Sequence, residues 1–322
     1  MTGIAVLGAG AFGTALAISL SSVRDDVTLW GRSAEHIAHM EATRTNAKRL
    51  PDCSLPDALK LTSDLSTACA ADIILLSMPM QTLSQFAQDN VTLLTGKTLV
   101  SCCKGIDVKT GRGPVELLSQ IVPDARVAIV SGPSFAVDIA AGLPTALTIA
   151  GKDEALVSDL QTALTTQNIR LYSSLDPVGV EFGGALKNVM AIACGIAIGA
   201  GLGESARAAL MTRGNIEMQR IATSLGASPQ TLLGLSGFGD LVLTCTSAKS
   251  RNFSHGLKLG RGDPIDPEIT VEGVATAQAV AALAAERGVD MPITNVVRDI
   301  LNSSITITEA VERLLSRPLK RE

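Results

Sequence analysis

The chain has 322 residues, with 27 basic and 31 acidic side chains, a net charge of −4 and a pI near 5.5. That length allows two domains and a substantial buried core, and the lack of any basic block disfavours a nucleic-acid partner. Only 2% of the residues are aromatic, too few for a platform on which single strands would stack.

Ile4 to Leu7 reads as a buried strand, followed by glycines at 8, 10 and 13 and an amphipathic helix over Phe12–Ser22. Strand, glycine turn and helix in that order are the context in which G-x-G-x-x-G binds a dinucleotide. Gly8 permits the tight turn, Gly10 lets the backbone approach a pyrophosphate, and Gly13 lets helix and strand pack closely. Ala11 and Phe12 lie between the last two glycines. The N–H groups and dipole at the helix start favour the phosphate charge. A second strand, Val27–Trp30, arrives where a βαβ unit needs it. Beyond it stands Gly31-Arg32-Ser33, in place of the acidic residue that accepts from the ribose hydroxyls at an NAD-specific site. A guanidinium at Arg32 can pair with a 2′-phosphate, so NADPH is favoured and NADH stays open. Arg32 as a plain solvated residue is the alternative.

Apolar β-type runs recur at Ile73–Ser77, Thr98–Ser101, Val127–Val130, Thr145–Ala150 and Ile169–Tyr172, with helical patterns such as Gln81–Asn90 and Glu154–Leu164 among them. This alternation predicts an α/β fold with a parallel, doubly wound sheet of Rossmann type, later strands being added at one edge. Ligands of such sheets sit beyond the carboxyl ends of the strands. Two segments after strands stand out: Lys104, and Ser131–Ala136, which joins a glycine turn to a helix started by serine, a good anion-binding terminus. Adjacent Cys102 and Cys103 would point to opposite faces of a strand and read as small core residues. The six cysteines include no C-x-x-C, and the first strand follows Met1 so closely that a targeting segment has no room, so a reducing cytoplasm is expected.

After Tyr172 the strand signals nearly vanish, and Asp176-Pro177 marks a joint. The expectation is a dinucleotide-binding domain over 1–175 and an all-helical substrate and catalytic domain over 176–322. Its helices fall at 178–200, 205–225, 229–235, 270–287 and 308–315, with loops near 246–268, and it caps the carboxyl edge of the sheet above a cleft. The apolar run from Val189 to Gly203 has 15 residues, too few to cross a bilayer, and suits a buried helix. Lys187, just before that run and after Gly183-Gly184, must find a partner, a cleft or a lowered pKa. Ser247–Asn252 is a polar, basic loop opening another helix. Only three histidines exist, and His36 and His39 lie on a surface-like helix, so unless His255 serves, a lysine is the leading proton donor. Solvated turn lysine for Lys104, simple N-cap for Ser134 and surface decoration for Arg251 remain the plain readings.

Taken in order, Gly8-Ala9-Gly10-Ala11-Phe12-Gly13-Thr14, Lys104-Gly105, Ser131–Ala136, Gly184-Ala185-Leu186-Lys187-Asn188, Gly237–Thr246, Ser250-Arg251-Asn252-Phe253, Val271-Glu272-Gly273 and Met291-Pro292-Ile293 run over nearly the whole sequence. In them the chain resembles the bacterial NAD(P)-dependent glycerol-3-phosphate dehydrogenases. The resemblance implies reversible reduction of dihydroxyacetone phosphate to sn-glycerol 3-phosphate, which supplies phospholipid synthesis. It implies Lys187 as general acid, with Lys104 and Asn188 orienting the ketone and hydroxyls. Asp240, Ser250, Arg251 and Asn252 would complete the pocket, Arg251 near both phosphate and cofactor. Gly132 and Ser134 would hold substrate, and Ala136 and Glu272 the cofactor, beside Gly8, Gly10, Ala11, Phe12, Gly13, Arg32 and Lys104. Charge developing on the ketone oxygen suits a cationic proton donor, and a dianionic phosphate suits an arginine and helix N-termini. No Cys/His ligand cluster exists, so no metal is expected.

Two departures stand out: Ala11 occupies a position where the family often has Ser, and the stretch before Thr270 is short, which bears on the cofactor contact at Glu272. A β-hydroxyacid or 6-phosphogluconate-type dehydrogenase is the alternative enzyme, against which Ser131–Ala136 and Ser250-Arg251-Asn252 argue. A non-catalytic NADPH sensor would have lost Lys187, Asp240 or Arg251, and all three are present. The expected partner is a small phosphorylated ketone or alcohol, with no nucleic acid and no membrane span; the apolar second domain leaves a homodimer open.

Overall fold

Strands buried on both faces organise the first half of the chain. In the computed structural model, residues 3–266 and 271–318 are described. The elements run β1 (Ile4–Leu7), α1 (Ala11–Ser21), β2 (Val27–Trp30), α2 (Ala34–Thr43), β3 (Thr45–Asn46), β4 (Leu50–Ser54), β5 (Lys60–Thr62), α3 (Leu65–Ala68) and β6 (Ile73–Leu76). They continue as α4 (Met80–Asp89), α5 (Val91–Leu94), β7 (Thr98–Ser101), α6 (Pro114–Ile121), β8 (Arg126–Ser131), α7 (Ala136–Ala140), β9 (Thr145–Gly151), α8 (Glu154–Leu164) and β10 (Ile169–Ser174). Every residue of β1, β6 and β7 is buried, because helices cover both faces of a parallel sheet. Alternate residues feed two cores: Ile4, Val6, Leu29 and Val100 pack with Leu16 of α1 on one face, and Ala5, Leu7, Ile74 and Leu99 pack with Leu83 and Leu118 on the other. Cys102 and Cys103, just past β7, enter opposite cores in the same alternation.

The sheet has eight strands in the order β10-β9-β8-β7-β6-β1-β2-β5. The pairings from β5 through β8 are parallel in register, Leu7 standing opposite both Trp30 and Leu76. The expected uniform parallel order fails at one step: β9 runs antiparallel to β8. Between them the chain has only the five-residue α7, too short for a full crossover, so it turns back. Strand β10 then pairs parallel with β9 through α8. The three-residue edge strand β5 and the small antiparallel hairpin β3–β4 carry too few apolar residues to have shown in the sequence.

Compact units divide the chain within its next helix, α9 (Pro177–Gly199): one runs through Lys104 and from Arg112 to Glu181, the other holds Gly105–Gly111 and the residues from Phe182 onward. In the second unit follow α10 (Glu204–Ser224), α11 (Pro229–Leu233), a π-helical turn (Leu235–Gly239), α12 (Asp240–Cys245), α13 (Arg251–Arg261), α14 (Glu272–Arg287), α15 (Pro292–Leu301) and α16 (Ile307–Leu315). Among the described residues it contains no strand. Helix α13 starts where the basic loop at Ser247–Asn252 was expected to open a helix and runs on through part of the stretch 246–268 expected as loop, and α15 has no counterpart among the helices expected from the sequence. Gly256 and Gly260 in α13 lower its helix propensity, so its pattern beyond the first turn reads as loop. The start of the helix expected at 270–287 falls on residue 270, outside the described residues, and α14 begins at Glu272.

Helix α9 is 23 residues long and apolar, enough by length and composition to cross a membrane; 89% of its most apolar stretch is nevertheless buried within the protein. Two buried glutamates cap helices that begin with proline. Glu181 accepts from Val115 N–H at the start of α6, and Glu217 accepts from Ile293 N–H at 2.7 Å and Thr294 N–H at 3.2 Å at the start of α15. Burial pushes their carboxyls up to about 8 and about 7 respectively.

Candidate active site

In the first unit, every residue singled out from the sequence lies just after a parallel strand. The turn after β1 needs its glycines for different reasons. Gly8 has φ +124°, and a Cβ there would meet the Ser77 carbonyl oxygen at 2.2 Å. A Cβ on Gly13 would lie 2.1 Å from Gly8 O, which is how α1 comes to pack against the strand it leaves. Around Gly10 the requirement is reversed: apart from Gly10 and its two chain neighbours, no atom lies within 4 Å of where its Cβ would stand. Thr14 N–H is the first to bond back, to Gly10 O at 2.9 Å, so the amides of Ala11, Phe12 and Gly13 have no carbonyl behind them in the helix. Open space before outward amides at a helix start fits the pyrophosphate of a dinucleotide.

Arg32, exposed, stands two residues past β2. Lys104 follows β7, and its Nζ donates to Gly132 O at 3.2 Å. Ser134 Oγ donates to the same carbonyl at 3.1 Å, so three of the residues named from the sequence converge after the paired strands β7 and β8. Ser134 does not cap the helix that follows. Phe135 holds the N-cap position of α7 without a side-chain bond, and Ala136 is its first residue.

In the second unit the apolar helix α9 carries Lys187, 7% exposed, and its ammonium is held by Asp240 Oδ1 and Thr244 Oγ1, both at 2.8 Å. Asp240 is 1% exposed, and Thr244 Oγ1 also donates to its Oδ1 at 3.2 Å. Removing two charges from water costs several kcal/mol per ion, which short contacts and the added hydroxyl offset. The local sequence arranges this meeting. Gly183 lies one helical turn before Lys187, and a Cβ on it would meet Ser236 O at 2.7 Å. The missing side chain lets the π-helical turn press on α9, and Asp240 follows that turn directly. The partner required of Lys187 is thus Asp240, and Thr244, which the sequence reading passed over, joins it; its i, i+4 spacing from Asp240 on α12 was the available signal.

A second chain of bonds joins Asn188, Asn252 and α14. Asn252 Nδ2 donates to Asn188 Oδ1 at 2.9 Å, and its Oδ1 accepts from Gly273 N–H at 2.9 Å, beside Glu272. Asn188 Nδ2 is buried with no hydrogen-bond partner among the described residues, a donor that a polar ligand could satisfy. Ser250 Oγ accepts from Phe253 N–H at 3.2 Å as the N-cap of α13, and exposed Arg251 is the first residue of that helix. His255, on the same helix, is half-buried; burial and then Lys258 lower its pKa, which disfavours the imidazolium. The buried thiols Cys102 and Cys245 are pushed up in pKa, Cys102 by burial and Cys245 mainly through Cys194, which leaves them poor nucleophiles.

Family models described as NAD-dependent glycerol-3-phosphate dehydrogenase N-terminus and C-terminus match residues 3–157 and 176–312. The chain belongs to this family. It is 57% identical over 319 residues to the glycerol-3-phosphate dehydrogenase [NAD(P)+] of a Ruegeria species, covering 99% of both chains. Identity to the protein of that name from Roseobacter denitrificans is 54%, again over 99% of each. The crystal structure of glycerol-3-phosphate dehydrogenase from Coxiella burnetii superposes with a TM-score of 0.92 at 37% identity, covering 98% of this chain and 99% of that one. The chain is therefore an NAD(P)-dependent oxidoreductase of this family, and not the β-hydroxyacid enzyme or the cofactor sensor weighed as alternatives.

Proposed function

We propose that the chain reduces dihydroxyacetone phosphate to sn-glycerol 3-phosphate with NADPH or NADH, reversibly, and that Lys187 is its proton donor. The observation that carries this is the Lys187 ammonium, nearly buried and fixed by Asp240 and Thr244 within a family of glycerol-3-phosphate dehydrogenases. The bound dihydronicotinamide supplies a hydride to the ketone carbon. Lys187 gives a proton to the oxygen as charge builds there, and takes it back in the reverse direction. Asp240 and Thr244 hold that ammonium in one position, which lowers the cost of aligning it for each turnover.

Asn188 offers its unpartnered amide N–H to the substrate oxygens, and Asn252 fixes the orientation of that amide by donating to its other end. Lys104, Gly132 and Ser134 are assigned to the substrate, and Ser250, Arg251 and Asn252 to its phosphate, for which a guanidinium at a helix N-terminus is suited. Gly8, Gly10, Ala11, Phe12, Gly13, Lys104, Ala136, Arg251 and Glu272 are assigned to the cofactor, with Arg32 on its 2′-phosphate. The product is a glycerol backbone for phospholipid synthesis, and six free thiols suit a cytoplasmic enzyme. The test is nicotinamide absorbance decay with dihydroxyacetone phosphate, NADPH against NADH. Rapid oxidation supports the reading; tight NADPH binding without oxidation overturns it.

A further inference from the structure

The β3–β4 hairpin places one buried side chain against the dinucleotide turn. Asn46, 1% exposed, donates through Nδ2 to the carbonyl of Ala9 at 3.1 Å and to Thr14 Oγ1 at 2.8 Å. Its Oδ1 is buried without a hydrogen-bond partner among the described residues, so the amide is used through its N–H₂ end alone. The register of the hairpin shifts between Thr45 and Asn46, the kind of irregularity that re-aims a side chain beside a site. The hairpin is itself anchored: Leu55 N–H donates to Arg44 O at 2.8 Å, the Arg44 guanidinium donates to Leu59 O at 3.1 Å, and Leu50 is buried.

We infer that Asn46 is a positioning residue for cofactor binding, which rests on the dinucleotide reading of this turn. In a trans peptide the carbonyl of one residue and the N–H of the next point in opposite directions. Fixing the Ala9 carbonyl toward Asn46 therefore aims the Gly10 N–H away from the hairpin. The second bond, to Thr14, ties the same amide to the first turn of α1, so one side chain sets the turn and the helix start relative to each other. Without it the Ala9–Gly10 peptide can rotate, and amides needed on the pyrophosphate lose their common direction.

The experiment is cofactor titration by NADPH fluorescence, with steady-state kinetics at saturating dihydroxyacetone phosphate, for Asn46→Ala, Asn46→Asp and Thr14→Val. Asn46→Ala is expected to raise both Kd and KM for NADPH about ten-fold, as loss of about one well-aimed amide-to-phosphate bond implies, with kcat at saturating NADPH within about two-fold of wild type. Asn46→Asp, of equal size but with an acceptor facing the Ala9 carbonyl, loses at least as much. Thr14→Val gives a smaller rise and adds nothing in the Asn46→Ala background. If Asn46→Ala lowers only the melting temperature and leaves the NADPH Kd unchanged, Asn46 is merely structural and the inference is overturned. Should Asn46→Ala not fold, Thr14→Val decides alone, an unchanged Kd overturning the inference. Failure of the wild type to bind NADPH would instead overturn the dinucleotide reading itself.

Discussion

Helices α9 and α13 touch through backbone, and that seam sets up a quantitative test. Glycines 195 and 199 on one helix face glycines 256 and 260 on the other, four residues apart on each. In Gly256→Ala the new Cβ would lie 2.2 Å from Ile192 O, where ordinary contact begins near 3.4 Å. The shortfall, 3.4 − 2.2 = 1.2 Å, is against helix backbone, which cannot rotate aside, so α13 must retreat by about an ångström. Ser250, Arg251 and Asn252 ride on the first turn of that helix, and the 2.9 Å bond from Asn252 to Asn188 would open beyond hydrogen-bonding distance. Overpacking of this kind costs about 1–3 kcal/mol of stability, and an ångström of misplacement in a positioned site costs up to about 100-fold in rate. The assay pairs thermal melting with kcat/KM for dihydroxyacetone phosphate. We expect a melting temperature lower by several degrees and kcat/KM lower by about 10- to 100-fold. Gly260→Ala, one turn farther along, with its Cβ 2.4 Å from Ile196 O, should melt as early with a smaller kinetic loss. Wild-type kcat/KM in a Gly256→Ala protein that melts early would refute the link from seam to site.

Three further outcomes are expected. Lys187→Ala should lower kcat by about 100-fold or more while NADPH fluorescence titration shows nearly unchanged binding; wild-type turnover would remove Lys187 from the proton-donor role. Arg32→Asp should lower the NADPH/NADH ratio of kcat/KM by about 10-fold or more, since a charge-assisted bond becomes a repulsion, and an unchanged ratio would end the 2′-phosphate argument. Glu217, raised by burial to about 7, stays protonated in the folded chain where the unfolded chain has released its proton, so stability falls as pH climbs from about 4.5 to about 7. The loss is on the order of 3 kcal/mol. Glu217→Gln should flatten that fall in a series of melts from pH 5 to pH 7, and a slope equal to wild type would contradict the assignment.

What the sequence determined by itself was local or periodic. The buried runs at 4–7, 73–76 and 98–101 identify the sheet, and the glycines of the first turn mark the place proposed for the dinucleotide, because burial on both faces and a tight turn each demand particular residue types at fixed spacing. A lysine entering an apolar helix likewise announces that it needs a partner. The structure alone decided which partner: Asp240 lies 53 residues on, and it reaches Lys187 only because Gly183 admits a π-helical turn. The reversal of β9 was settled by the short connection at α7, and the extent through Arg261 of the helix that the basic loop opens by its backbone seam against α9, whose glycines read as breakers when taken alone. Asn46 shows the same division most plainly. Nothing in its neighbourhood of the sequence sets it apart, and its position against Ala9 and Thr14 comes from contacts 37 and 32 residues away, which no local pattern encodes.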